Sequence, residues 1–294
     1  MKKSGSSLAV VLLAVAGAAP LGASAIRLNV VTSNSGVLGR TDDGSTRAIS
    51  LGINGASGID FYGVAYTQLY INNNGNVTFS SALHQFTPNA FASGVGQAII
   101  APFFADVDTW GSNSSVVNYG NGLVDGREAF IVNWPGVGYY NAASDKLNAF
   151  QLILIDRSDT GAGNFDIEFN YDQIQWESGS ASGGVDGLGG TSAVVGFSNG
   201  QSGLNNLSMQ LPGSTADGAL LDSGPAATSL VRNSLNSQVL GRYDFYMRSG
   251  SMQVSTLADT PEPRSIFLLI APLLVLGGES LRRRRMSGQR LARD

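Results

Sequence analysis

Apolar and polar positions alternate most strictly in Phe165-Asp166-Ile167-Glu168-Phe169-Asn170-Tyr171. Successive side chains of a strand point to opposite faces. The pattern therefore predicts a half-buried strand, with its four apolar residues on a core and Asp166, Glu168 and Asn170 toward solvent. Ala129 to Trp134 and Ala149 to Ile155 read as further strands, the second nearly all apolar and so central. Phe61 to Tyr66 (broken by Gly63), Ala193 to Phe197, Leu207 to Leu211 and Arg242 to Met247 complete the set. The sharpest turn signal is Asn74-Gly75, where a two-residue hairpin loop needs positive φ at both positions. Folded there, the chain pairs Tyr70 with Phe79 and Ile71 with Thr78. Ile99 to Thr109 is the most apolar run of the interior and ends on Asp106 and Asp108. Loops rich in Gly, Ser and Asn fall between these runs, at 81–96 and 178–190 above all. No long helical period is present, and 225–235 is the one stretch that fits a short helix. The pattern predicts an all-β fold: an antiparallel β-sandwich or barrel-like domain with long loops and at most one or two short helices.

The ends follow a different pattern. Lys2 and Lys3 precede an apolar run, Leu8 to Ala19, and then Ala23-Ser24-Ala25. A positive start, a core of about a dozen apolar residues and a small-x-small site are the parts of a secretory signal peptide. This assigns 1–25 to a signal peptide, with an uncleaved anchor as the alternative. At the other end Pro261-Glu262-Pro263 precedes an apolar segment, 266–281 with its flanking residues, and then Arg282-Arg283-Arg284-Arg285. Its apolar part, about 15 residues, is marginal against the roughly 20 of a full span. The arginines would stay cytoplasmic. Between the ends the reading gives an N-terminal arm at 26–49 with one or two edge strands, a β-domain at 50–248 and a linker at 249–260.

Charge sharpens the picture. The whole chain of 294 residues carries −4, but half of its Lys and Arg lie in the two end segments. Between Ile26 and Pro263 there are 9 basic and 20 acidic residues, a balance of −11. Such a surface repels phosphate backbones, which argues against a nucleic-acid partner. Without cysteine, neither disulfides nor thiol chemistry nor Cys-based zinc sites are open to it.

Little chemistry remains. Gly196-Phe197-Ser198-Asn199-Gly200 matches the nucleophile-elbow pattern, but Asn-Gly after the serine predicts a turn, and the one histidine, His84, precedes it. Gly184 to Gly190 leads into a strand and not into a phosphate-binding helix N-terminus. Asp106 with Asp108, and Asp166 with Glu168, each share a strand face. The plain reading is carboxylates at sheet edges facing solvent. The alternatives are oxygen ligands for a hard cation such as Ca²⁺, and acid and base of a glycoside hydrolase. Asp106, Asp108, Asp166 and Glu168 are thus the candidate metal ligands, no catalytic residue is assigned, and no other cofactor is expected. Trp110, Trp134 and Trp176 read as core or sheet-packing residues.

Two resemblances add to this. The order Pro-Glu-Pro, apolar segment, arginine cluster over 261–294 resembles the PEP-CTERM sorting signal of bacterial exported proteins, with Arg264 and Glu279 as departures. The partner this implies is exosortase, the membrane enzyme that recognises such tails. Leu69 to Phe79, Ile99 to Thr109, Phe130 to Trp134, Gly138 to Tyr140, Phe150 to Leu154, Phe165 to Tyr171 and Ile174 to Trp176 together resemble the nidogen-like (NIDO) domain in its bacterial form. That domain occurs in animal basement-membrane and mucin-type extracellular proteins and is associated with cell–matrix adhesion; the resemblance carries no catalytic residues. The cysteine-rich modules that accompany it in animals are absent here. The resemblances imply a non-enzymatic structural or adhesion protein, exported and anchored transiently in the cytoplasmic membrane by its C-terminal segment. It would act at the cell surface or in an extracellular matrix such as a biofilm, with polysaccharide or matrix protein as partner. A secreted glycan-acting hydrolase is the alternative.

Overall fold

The alternating stretch at 165–171 does form a strand, and both of its faces are buried. The computed structural model describes residues 24–253. Residues 1–23 of the expected signal peptide, most of the expected linker, and the expected C-terminal signal with its segment 266–281 lie outside the described residues. The strands are β1 (Val31–Val37), β2 (Ile49–Ser50), β3 (Ile59–Phe61), β4 (Val64–Tyr66), β5 (Gln68–Asn72), β6 (Asn76–Thr78), β7 (Ile99–Phe104), β8 (Val107–Asp108), β9 (Asn118–Val124), β10 (Arg127–Tyr139), β11 (Ala143–Asp156), β12 (Phe165–Gln173), β13 (Val194–Ser198), β14 (Ser208–Gln210), β15 (Arg242–Arg248) and β16 (Ser251–Gln253). The large sheet runs β1-β9-β10-β11-β12-β15-β16, with β8 also paired to β10. The second runs β14-β13-β7-β6-β5-β2, and β3 with β4 makes a separate ribbon. Every strand pair is antiparallel, as the alternation predicts.

The two sheets close over one apolar core. Trp134, Phe150, Leu152, Phe169 and Phe245 come to it from the large sheet; Ile71, Val77, Phe103 and Phe197 come from the second. Rings bridge the layers: Phe103 lies 5.4 Å from Phe150 and Phe197 lies 5.2 Å from Phe245, centroid to centroid. Such pairs add about 0.5–1.5 kcal/mol each beyond the area they bury. The loop between β6 and β7 folds back so that Phe91 covers Ile99, Ala101, Phe104 and Val194 on the outside of the second sheet.

The outer face of the large sheet carries a row of four amides in register, closed by a guanidinium. Asn118, Asn133, Gln151, Asn170 and Arg242 are cross-strand neighbours on five successive strands. Each donates to the one before it: Asn133 Nδ2 to Asn118 Oδ1 (2.8 Å), Gln151 Nε2 to Asn133 Oδ1 (2.7 Å), Asn170 Nδ2 to Gln151 Oε1 (2.9 Å), Arg242 Nε to Asn170 Oδ1 (3.0 Å). The segment ahead of β1 lies over this row. The Arg27 backbone N–H donates to Gln151 Oε1, and Gln151 Nε2 donates to the Arg27 carbonyl.

Four expectations are corrected. The hairpin register is Tyr70 with Thr78, Ile71 with Val77 and Asn72 with Asn76, so the loop is the three residues Asn73-Asn74-Gly75. Phe79 is freed from strand pairing and packs its ring 4.6 Å from Tyr66. The stretch 225–235 is a run of turns, in which Ser229 N–H and Thr228 N–H both bond the Pro225 carbonyl. Helical content among the described residues is five single 3-10 turns. Trp134 and Trp176 are buried, but Trp110 is 60% exposed. Asp166 and Glu168 do not face solvent, because the N-terminal segment and arginines cover them. Within the N-terminal arm, β1 pairs with β9 at one edge of the large sheet and β2 with β5 at one edge of the second. Among the described residues no helix is long and apolar enough to cross a membrane.

Candidate functional site

The four carboxylates singled out in the sequence separate into three environments. Asp166 is held by Arg157 Nη1 (2.7 Å) and Arg248 Nη2 (2.6 Å). Glu168 accepts a two-point contact from Arg27, Nε to Oε1 at 2.8 Å and Nη2 to Oε2 at 2.9 Å, with Arg242 Nε at 3.5 Å. Two guanidiniums beside each carboxylate offset its charge, which disfavours both proton transfer and a cation there. Asp108 is spent on backbone: Oδ1 accepts from Trp110 N–H and Oδ2 from Ala142 N–H, both at 2.7 Å. It fixes the turn after β8 against the turn after β10.

Asp106 is different. It sits in the break between β7 and β8 and is 1% exposed. Its Oδ1 has no hydrogen-bond partner, and its Oδ2 meets only Ser182 Oγ, at 3.5 Å. One carboxylate oxygen from each of Asp42, Asp43 and Asp106 lies within 4.8 Å of the others. This is the one such group among the described residues. Asp108, Asp166 and Glu168 do not join it; Asp42 and Asp43 replace them.

The hairpin loop assembles the group. Asn73 N–H donates to the Gly44 carbonyl, and Asn73 Nδ2 reaches the carbonyls of Thr41, Asp42 and Val107. Asn74 Nδ2 donates to Asp43 Oδ1 at 2.8 Å, while Asn74 Oδ1 accepts from Val107 N–H at 2.9 Å. Two adjacent asparagines therefore clamp the 41–44 loop to the β7–β8 break. His84 is exposed and its Nδ1 lies 2.7 Å from the Asp43 carbonyl.

The electrostatics follow from burial and like charge. Burial, with Asp42, Asp43 and Asp108 nearby, pushes the Asp106 carboxyl up to about 7. Burial, with Asp43 and Asp108 nearby, raises Asp42 to about 6. A second buried acid, Glu177, shows what full satisfaction looks like. Its oxygens accept from Ser192 Oγ, Gly218 N–H (2.9 Å) and Leu220 N–H (2.6 Å), so both oxygens are bonded and the group ties two loops together. Ser198 is equally structural: its Oγ accepts the Gly200 N–H in the turn that Asn-Gly predicted.

Asp244 lies directly across from Glu168 on neighbouring strands. Burial and the facing Glu168 push its carboxyl up to about 7, with Asp166 adding to the effect and Arg242 and Arg27 opposing it. A carboxyl raised in the fold above its unfolded value takes up a proton on folding, so its contribution to stability falls as pH rises through that interval. The wild-type chain should lose melting temperature as the pH rises from about 4 to about 7, between the ordinary carboxylate value and the raised one. Asp244→Asn should remove part of that loss. Discounted for partial exposure, the difference is about 1 kcal/mol, or roughly 2–4 °C in a domain of this length. Equal slopes in thermal melts of the two proteins would contradict the assignment.

The model of the nidogen-like domain family matches residues 67–126 and 117–249, which together take in β5 to β15. Alpha-tectorin of Mus musculus is 36% identical over 197 residues, covering 60% of this chain and 9% of that protein. Alpha-tectorin of Gallus gallus is 34% identical over the same length. Nidogen of Drosophila melanogaster is 33% identical over 119 residues, covering 33% of this chain and 9% of the relative. The chain thus spans about a tenth of the length of these relatives. No solved structure matches it.

Proposed function

Because this chain belongs to the nidogen-like domain family, we propose that it is a non-catalytic structural or adhesion module of a cell surface or extracellular matrix. The observation that carries the reading is the family match over 67–249, which takes in most of both sheets. Alpha-tectorin is similar over 60% of this chain and nidogen over 33% of it. The fate of the acidic residues supports it from a second side. Asp166 and Glu168 are bound to arginines and Asp108 to backbone amides, so none of these three is free to act as the acid or base of a glycoside hydrolase.

In this reading the segment 1–25 directs export, and 261–294 holds the module at the membrane until exosortase processes it. The module then meets a polysaccharide or a matrix protein outside the cell. Fractionating cells that make the full chain, or a chain ending at residue 260, tests the sorting step. The full chain is expected in the envelope or matrix fraction and the shortened chain in the medium. Retention of both in the envelope would remove the sorting tail from the proposal.

A further inference from the structure

We propose that Asp42, Asp43 and Asp106 form a binding site for one Ca²⁺ ion at the hairpin end of the sandwich. The first ground is geometry. Two oxygens on opposite sides of a calcium ion, each at roughly 2.4 Å, stand about 4.8 Å apart; the three carboxylate oxygens lie within 4.8 Å of one another. The second ground is independent of the clustering. Asp106 is 1% exposed, yet its Oδ1 has no donor, and the buried Oδ1 of Asp42 has none either. Asn73, whose amide nitrogen bonds the Asp42 carbonyl, likewise leaves a buried Oδ1 without a donor. Buried acceptors in a folded protein are almost always satisfied, and Glu177 in this same chain is satisfied by three donors. An oxygen-seeking cation supplies what three orphan acceptors and three converging carboxylates lack.

Other occupants fit less well. Among the described residues no lysine or arginine forms a salt bridge with any of the three carboxylates. The chain has no cysteine, and His84 turns Nδ1 to a backbone carbonyl, so soft or borderline metals find only oxygen here. Magnesium demands near-ideal octahedral geometry and usually keeps several waters, whereas calcium accepts irregular sets of six to eight oxygens. Asp42 and Asp43 are half-buried, which gives the ion an entry path and leaves room for water ligands.

The ion would cross-link three segments, the 41–44 loop, the hairpin loop through Asn73 and Asn74, and the β7–β8 break. It would act as a staple in a chain without disulfides. The site stands on this geometry whether or not the module serves a matrix. The test is equilibrium dialysis with radioactive Ca²⁺ on the full chain in mild detergent, beside thermal melts in Ca²⁺, in Mg²⁺ and in chelator. The expected result is one saturable ion per chain and a melting temperature higher in Ca²⁺ than in chelator by about 3 °C or more. Asp106→Asn should bind at least ten-fold more weakly, yet melt in chelator no lower than the wild type, because the amide removes like-charge repulsion. Asp42→Asn, at a half-exposed position, should weaken binding in a fold that is not in question, and Asp125→Asn, whose carboxylate pairs with Arg27 away from the site, should leave Ca²⁺ binding unchanged. No saturable binding, or unchanged binding in both Asp42→Asn and Asp106→Asn, would overturn the site. An equal response to Mg²⁺ would overturn the assignment to calcium.

Discussion

Replacing Gly75 with alanine is expected to unfold this domain or bring it close to unfolding, with a loss of more than about 4 kcal/mol. Two causes add. Gly75 has φ of +74°, a region in which a side chain is strained. The larger cause is contact. A Cβ there would stand 2.7 Å from the Phe103 carbonyl carbon and closer still to its oxygen. That neighbour is backbone and cannot rotate away. The close approach exists because the hairpin loop docks edge-on against the end of β7: Phe103 N–H bonds the Gly75 carbonyl at 3.2 Å, and Ala105 N–H bonds the Asn74 carbonyl at 3.3 Å. Relief of the clash must break both bonds and pull the loop from the β7–β8 break, where Asp106 sits. Gly126→Ala is the control. It has φ of +80° with nothing within 4 Å of the added methyl, so it meets the conformational cost alone, about 1 kcal/mol. Chemical denaturation of the two variants separates the causes; equal losses would mean that the close approach contributes nothing.

The same loop shows what the sequence made legible. Asn74-Gly75 marked the turn correctly, and strands on either side followed. The register did not follow, because Asn72-Asn73-Asn74 and Asn76 give a run of turn-formers with no apolar residue to fix the count. What fixes it lies elsewhere. Asn72 Nδ2 bonds Asn76 Oδ1 and Thr78 Oγ1 across the pair, and Asn73 and Asn74 are committed to the 41–44 loop. At 165–171 the alternation correctly separated the core face from the polar face. It could not show that the polar face is covered, since the covering segment, with Arg27 reaching Glu168, lies more than a hundred residues away. Local periodicity reports which residues share a face; it carries nothing about what distant segment lies on it.

The acidic group had a partial signal. Asp106 stood out at the end of the most apolar run. Its companions Asp42 and Asp43 lie in Thr41-Asp42-Asp43-Gly44, a sequence that reads as an ordinary polar turn. Adjacent aspartates before a glycine are the trace that was there to find. Spacing along one strand favoured Asp108 in their place, yet Asp108 is consumed by two backbone amides. Neither the backbone bonds of one acid nor the unmet acceptors of the other can be read without the fold.

Trp134→Ala is the second large expected effect, and it tests how the core supports that end of the sandwich. Trp134 is fully buried, pairs across β10 and β11 with Phe150, and stacks on it at 4.9 Å with an interplanar angle of 14°. Its Nε1–H donates to the Asn73 carbonyl at 3.0 Å. Removing the indole leaves a large cavity between the sheets, a loss of about 3–5 kcal/mol. It also strips the donor from a buried carbonyl of the hairpin loop, which costs about 1–3 kcal/mol where no water replaces it. Trp134→Phe divides the two terms. The ring still fills most of the space, so stability should fall by only about 1–2 kcal/mol, close to the hydrogen-bond term alone. Denaturation followed by circular dichroism, with urea midpoints for all three proteins, measures both. A Phe variant as unstable as the Ala variant would place the whole effect in the indole N–H. A Phe variant equal to the wild type would make that bond to Asn73 incidental. The intermediate result is expected because Asn73 is the residue through which the core, the 41–44 loop and the β7–β8 break meet.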